Sequence, residues 1–231
     1  MQQLSLTQLV RMVQLTDSAL PIGNFAFSNG LESALQLGVV SDAKTLKSFT
    51  QTVLKQSGRL DGVALLHAHR AALKNDFDKI LEIDQELWSR RVGEEQQLMV
   101  SRIGRKFAEL VDKTAPSPLL SRWLNAIREE NTPGCFGTSH AIIFSEMGID
   151  ERQTFAVHQY GVASMVLSAA IRLMKIDHYD TQKILFEINE SLDDEYDAIS
   201  LKTLDDMNSF APTLDCLMGH HTQAHVRMFM N

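Results

Sequence analysis

Eight histidines and two cysteines are the residues from which metal or acid–base chemistry could be built. His221 and His225 are four positions apart, as are Cys216 and His220, so on a helix each pair shares a face. Such a pair can touch a divalent ion, but a nitrogen–sulfur site normally draws on three or four ligands. Ordinary packing of the tail is therefore favoured over a metal centre. A metal-dependent helical enzyme using these tail histidines is the rival reading. His67 and His69 are two apart and diverge by roughly 200° on a helix, so they are expected at the surface or its rim. His140 and His158 stand singly in apolar stretches and are expected as hydrogen-bonded core histidines.

Other chemistry is hard to assemble. None of the 12 glycines is followed by lysine, so the phosphate-cradling loop that ends in Gly-Lys-Ser/Thr is missing. There is no G-x-S-x-G elbow and no H-E-x-x-H zinc motif. Glu94 and Glu95 are adjacent and would diverge by about 100°, which suits a surface better than an acid/base pair. Cys135 and Cys216 form no Cys-x-x-Cys site. No catalytic residue is assigned. One segment stands out instead: residues 17–32, DSALPIGNFAFSNGLE, place Phe25 and Phe27 in a stretch with two glycines and a proline. Loop aromatics either plug the protein's own core or meet a partner, and the residues alone leave both open.

The elements that must hold these residues are helical. Apolar residues recur at three and four throughout, and no run alternates with a period of two for more than a few residues. Leu6, Leu9, Val10 and Val13 fall on one face of a first helix. Asn29 is read as a cap with Glu32 reaching back to it, as in a capping box. Gly58 is read as a stop, and Asp61 as the cap of the helix that follows. Further helices are expected from Asn75 or Asp76, over 94–111, from Pro118, over 136–147, from Asp150 to Met174, from Asp180 or Thr181, and over about 213–228. The acidic stretch 193–212, with Asp193, Asp194 and Glu195, is expected to be the most mobile.

Composition agrees. The 231 residues are 44% hydrophobic and 22% charged, as in a globular protein and unlike a disordered chain. Gly and Pro together number 17, about 7% against an average near 12%, which favours long helices over a turn-rich sheet. The expected fold is all-α: a single-domain compact helical bundle of about ten helices spanning 1–231. Its N-terminal helix (1–20) and a C-terminal arm (213–231) are expected to be mobile or ordered by a partner. A net charge of −7 argues against nucleic acid as a partner. The apolar stretch 155–174 contains His158, Gln159 and Arg172 and is read as a core helix, so no membrane is expected. With no secretory signal visible and two unpaired thiols, a cytoplasmic location is expected.

The 17–32 segment resembles the hallmark of the UreF family of urease accessory proteins, Leu-Pro-x-Gly-(Gly/Ala)-Phe-x-(Tyr/His)-Ser-x-Gly-Leu-Glu. Here it runs Leu20-Pro21-Ile22-Gly23-Asn24-Phe25-Ala26-Phe27-Ser28-Asn29-Gly30-Leu31-Glu32. Cys135-Phe136-Gly137 through Met147-Gly148-Ile149 is similar to the family's mid-chain segment. Ala211-Pro212 and Asp215, followed by His220, Gln223, Arg227 and Phe229, resemble its closing pattern. The chain departs from the pattern at Asn24, Phe27 and His221. In a central motif, Glu95 and Gly104 match while Gln97 and Val100 replace an arginine and a serine.

The resemblance implies an all-α homodimer with no enzymatic activity of its own. It implies partners: UreD (also called UreH), the GTPase UreG and apo-urease, to whose carbamylated-lysine site nickel is delivered with GTP hydrolysis. It implies no cofactor held by this chain, nickel and GTP acting through the complex. A helical scaffold for another client is the alternative. The residues carried over as structural or contact elements are Pro21, Gly23, Phe25, Ser28, Gly30, Leu31 and Glu32 of the loop, and His220, Gln223, Arg227 and Phe229 of the tail.

Overall fold

The computed structural model describes residues 4–17, 19–23, 26–221 and 228–229. Among them are twelve α-helices and no β-strand, in keeping with the breaker-poor composition.

The interior is organised around α8 (Phe136–Glu146), which is buried without interruption from Gly137 to Ser145. It packs between α4 (Val63–Leu73) and α6 (Glu94–Thr114). Helices α5 (Phe77–Ser89) and α7 (Pro118–Arg128) flank it. A helix so enclosed must satisfy its polar side chains internally, and Trp123 of α7 donates its indole N–H to Ser139 Oγ at 3.0 Å. The caps are local, and those at Asp76 and Asp150 follow the sequence reading. Asp76 accepts from the Lys79 amide, Ser117 precedes Pro118 and accepts from the Leu120 amide, and Asp150 accepts from the Gln153 amide.

Two buried features fix the segment that leads into α8. The Asp84 carboxylate accepts from Thr132 Oγ1 (2.6 Å), the Gly134 amide (2.8 Å) and the Cys135 amide (3.0 Å), and burial pushes its pKa up. On the opposite side α6 crosses so closely that a Cβ on Gly104 would lie 2.1 Å from the Gly134 carbonyl oxygen. The match at Gly104 thus has a steric cause.

A second apolar cluster is formed by α2 (Leu31–Gln36), α3 (Ala43–Ser57), α10 (His178–Asn189) and α12 (Pro212–His221). The 23-residue α9 (Glu151–Leu173) joins the two: Phe155 and Met165 belong to the first, Val166 and Ala170 to the second. By length and composition alone α9 could cross a membrane. Here it packs against α3, α8 and α10, and Val166, Ala169 and Ala170 are fully buried.

Several expectations are corrected. Gly58 does not stop a helix. Residues Gly58–Gly62 form a π-helical turn that joins α3 to α4 without a break, and Asp61 sits inside it rather than capping α4. The glycines serve contact: a Cβ on Gly58 would lie 2.8 Å from Gln159 Nε2, and one on Gly62 2.7 Å from the Phe155 ring. Helix α10 starts earlier than read, with Asp177 as its cap. The first part of the acidic stretch is helical: α11 (Leu192–Ser200) buries Ile199, and Arg152 pairs with the exposed Asp193 (2.8 Å) and Asp197 (3.1 Å). Glu151, paired with Arg70, also accepts from the Tyr196 hydroxyl. Helix α1 (Leu6–Thr16) turns Leu6, Leu9, Val10 and Val13 to solvent. It docks instead through Leu15 and through Gln8, whose amide donates to the Gly148 carbonyl at 2.7 Å.

His69 is not at the rim. It is buried, with Nε2 2.8 Å from the Ile149 carbonyl. His140 and His158 are buried as expected, their rings 5.8 Å apart, but the Nδ1 of each has no hydrogen-bond partner among the described residues. Burial holds all three below the ordinary imidazole pKa. The folded state therefore resists protons that the unfolded chain takes up below about pH 6.5, so stability is lost as the pH falls through that value. Between about pH 7.5 and 5.5 the protein should therefore lose stability. Urea midpoints at the two pH values check this. His140→Phe should make the loss smaller, and a wild-type midpoint that does not change with pH would contradict this account.

Candidate partner-binding site

The hallmark loop is a joint, not a free tip. Asp17 opens it with a turn, its carboxylate accepting from the Ala19 amide at 2.7 Å. Ile22 and Phe27 are buried in the main core, and Ser28 is fully buried. Phe27 is thus a core plug. Phe25, with Asn24, lies outside the described residues. Pro21 and Gly23 are exposed. Asn29 and Gly30 both take positive φ (53° and 78°), and Gly30 is the N-cap of α2 without a side-chain bond. The capping box read from Asn29 and Glu32 is therefore replaced by a backbone turn, and Glu32 has another use.

That use lies at the other end of the chain. The Glu32 carboxylate accepts from the Met228 amide at 2.9 Å and the Phe229 amide at 3.1 Å. Two backbone donors on one buried carboxylate make a strong clamp, since bonds to ionised groups exceed neutral ones. Phe229 is buried in the second cluster, and the Arg172 guanidinium sits 4.3 Å over its ring. The sequence shows Arg172 only as a charge in an apolar run; its ring partner is 57 positions away.

Helix α12 docks beside this clamp. Leu214, Leu217 and Met218 form its buried face, spaced three and one apart. They lie against the loop glycine: a Cβ on Gly30 would fall 3.2 Å from Met218 Cγ and 3.6 Å from Leu217 Cβ. Here absence of a side chain serves both the left-handed backbone and the helix contact. Gln56 of α3 adds a bond from its amide to the Ser209 carbonyl at 2.9 Å. The structure therefore brings together Ser28, Gly30, Leu31, Glu32 and Phe229. Cys216 and His220 face outward, exposed. Gln223, Arg227 and His225, and the side chain of His221, lie outside the described residues. Among the described residues no three His, Cys, Asp or Glu side chains converge as a metal would require.

Two concavities adjoin this unit. A shallow groove of about 310 Å³ runs between Val39, Phe49 and Leu217. The exposed Leu37 stands close by in sequence, at the C-terminal end of α2. A smaller pocket of about 90 Å³ is walled by Asn29, Met218, α6 and α9, and it contains the buried ion pair of Arg91 with Asp61.

The sequence family model for UreF matches residues 40–189, from just before α3 to the end of α10. Among relatives, the urease accessory protein UreF of Yersinia enterocolitica serotype O:8 / biotype 1B is 44% identical over 225 residues, covering 97% of this chain and 99% of the relative. The chain belongs to the UreF family. The UreF proteins of Yersinia pseudotuberculosis serotype IB and of Yersinia pestis strain Pestoides F are each 43% identical over the same coverage. The UreF model's match includes Gly104, Asp84 and all of α8 but neither the hallmark loop nor α12. In this chain the two terminal motifs form one structural unit outside that matched span.

Proposed function

We propose that this UreF-family chain acts as an adaptor in urease maturation. It bridges UreD (UreH) and the GTPase UreG on apo-urease and regulates GTP-dependent assembly of the nickel centre. It performs no chemistry of its own, and nickel and GTP act through the complex. It works in the cytoplasm as a homodimer, and its C-terminal arm is a partner-binding element.

One observation carries this reading: the two motifs that resemble the family pattern, 196 positions apart, meet through Glu32 and the Met228 and Phe229 amides. Pro21, Gly23 and His220, from the two joined segments, are exposed, and the apolar groove beside Val39 is lined in part by α12. An apolar patch with a polar rim is the anatomy of a protein interface. Phe25 is assigned the anchor position, with Gln223 and Arg227 contributing polar contacts.

Co-purification of the chain with UreD and UreG from cells expressing all three tests the reading, and recovery of neither partner would end it. Phe25→Ala should weaken the UreD complex by more than about 1 kcal/mol. Wild-type affinity in the folded variant would remove Phe25 from the interface.

A further inference from the structure

The pocket under the hallmark loop carries hydrogen-bond donors that the protein does not use. Ser57 Oγ, Arg91 Nε, Gln96 Nε2 and His158 Nδ1 have no partner among the described residues, and all four residues line the pocket. None of the four side chains is more than 10% exposed. An arginine Nε–H and an amide NH₂ can only donate, and a hydroxyl and an imidazole can do so as well. Buried donors without acceptors are costly to a fold, so each such group calls for an explanation. The rest of the wall is apolar, including Met99, Ile103 and Met165. The fixed charges cancel, because Arg91 is paired with Asp61. Admitting an anion would leave one buried charge unmatched. Asp61 is also presented by the π-helical turn, a rare element often found at functional sites.

We propose that this pocket binds a small uncharged molecule with a carbonyl oxygen and an N–H group, of the size and kind of a simple primary amide. The carbonyl accepts from Gln96 and Arg91, the amide N–H₂ donates toward the Asp61 carboxylate and the Ser57 hydroxyl oxygen, and the short apolar part rests on the methionines. The site is independent of the urease reading. Asn29 and Met218 share its wall, so occupancy is linked to the docked position of α12.

The test titrates acetamide into the full-length chain, followed by saturation-transfer NMR, with acetate as the charged comparison. Acetamide should bind saturably and more tightly than acetate. Gln96→Leu should weaken it about tenfold, and Ser57→Ala should weaken it measurably. Both variants delete an unpaired buried polar group, so the fold is retained; should Gln96→Leu not fold, Ser57→Ala carries the test. Three results would overturn the proposal: no saturable binding by the wild-type chain, acetate binding as well as acetamide, or acetamide binding indifferent to both substitutions.

Discussion

Asp84→Ala should destabilise the protein by about 4 kcal/mol, the largest single loss expected from one side chain here. The carboxylate is fully buried and accepts from one hydroxyl and two backbone amides. Alanine would strand all three donors in an interior that water cannot easily reach. The damage would not stay local. The Gly134 and Cys135 backbone it holds is the strip on which Gly104 of α6 rests, and Phe136 begins α8. Asp84→Asn should recover part of the loss, since it keeps one acceptor oxygen while setting an amide donor against other donors. Urea unfolding followed by circular dichroism reads the difference, and a loss below about 1 kcal/mol would show that the segment is held by packing alone.

Glu32→Ala should release the end of the tail while sparing the bundle. The Met228 and Phe229 amides lose their acceptor together. At about 1.5–3 kcal/mol for a bond to a charged group, docking of the tail should weaken by about 3 kcal/mol, more than a hundredfold in its local equilibrium. Phe229 then loses its seat under Arg172. The main core does not depend on this contact: Glu32 and Phe229 lie at the edge of the second cluster, away from α4, α6 and α8. Global unfolding should shift little, while cleavage by protease near the C-terminus should quicken. Glu32→Gln, which keeps one acceptor, should fall between the two. If the joined loop and tail form the partner surface, affinity for UreD falls in the same order.

What could be read in the sequence follows from what is local. Asp76, Pro118 and Asp150 act within one helical turn, so their roles were visible in their spacing. Gly58 was misread because its neighbours are Gln159 and Ile199, a hundred positions or more away, and only the fold sets them against it. The acidic run is solvated as its composition suggests, with Asp193 and Asp194 exposed; its helix was not legible because the residues that pair with it, Arg152 and Glu151, belong to another helix. The shared face of Leu6, Leu9, Val10 and Val13 was legible from spacing, but not that it faces solvent while α1 docks by Gln8 and Leu15. The site divides in the same way. Each terminal motif was legible by itself, and Phe27 as a core plug was one of two readings left open. That Glu32 serves the tail and not its own helix cap is a tertiary fact, as is the crossing that makes Gly104 necessary.

The central claim is that this chain matures urease by offering a surface assembled from its two ends. The most direct measurement is the nickel content of urease purified from cells whose own copy of this chain is replaced by wild type, Glu32→Ala or Glu32→Gln. Near-stoichiometric nickel with wild type, a severe deficit with Glu32→Ala and an intermediate value with Glu32→Gln are predicted, with all three proteins equally abundant. Full nickel loading with Glu32→Ala would contradict the claim.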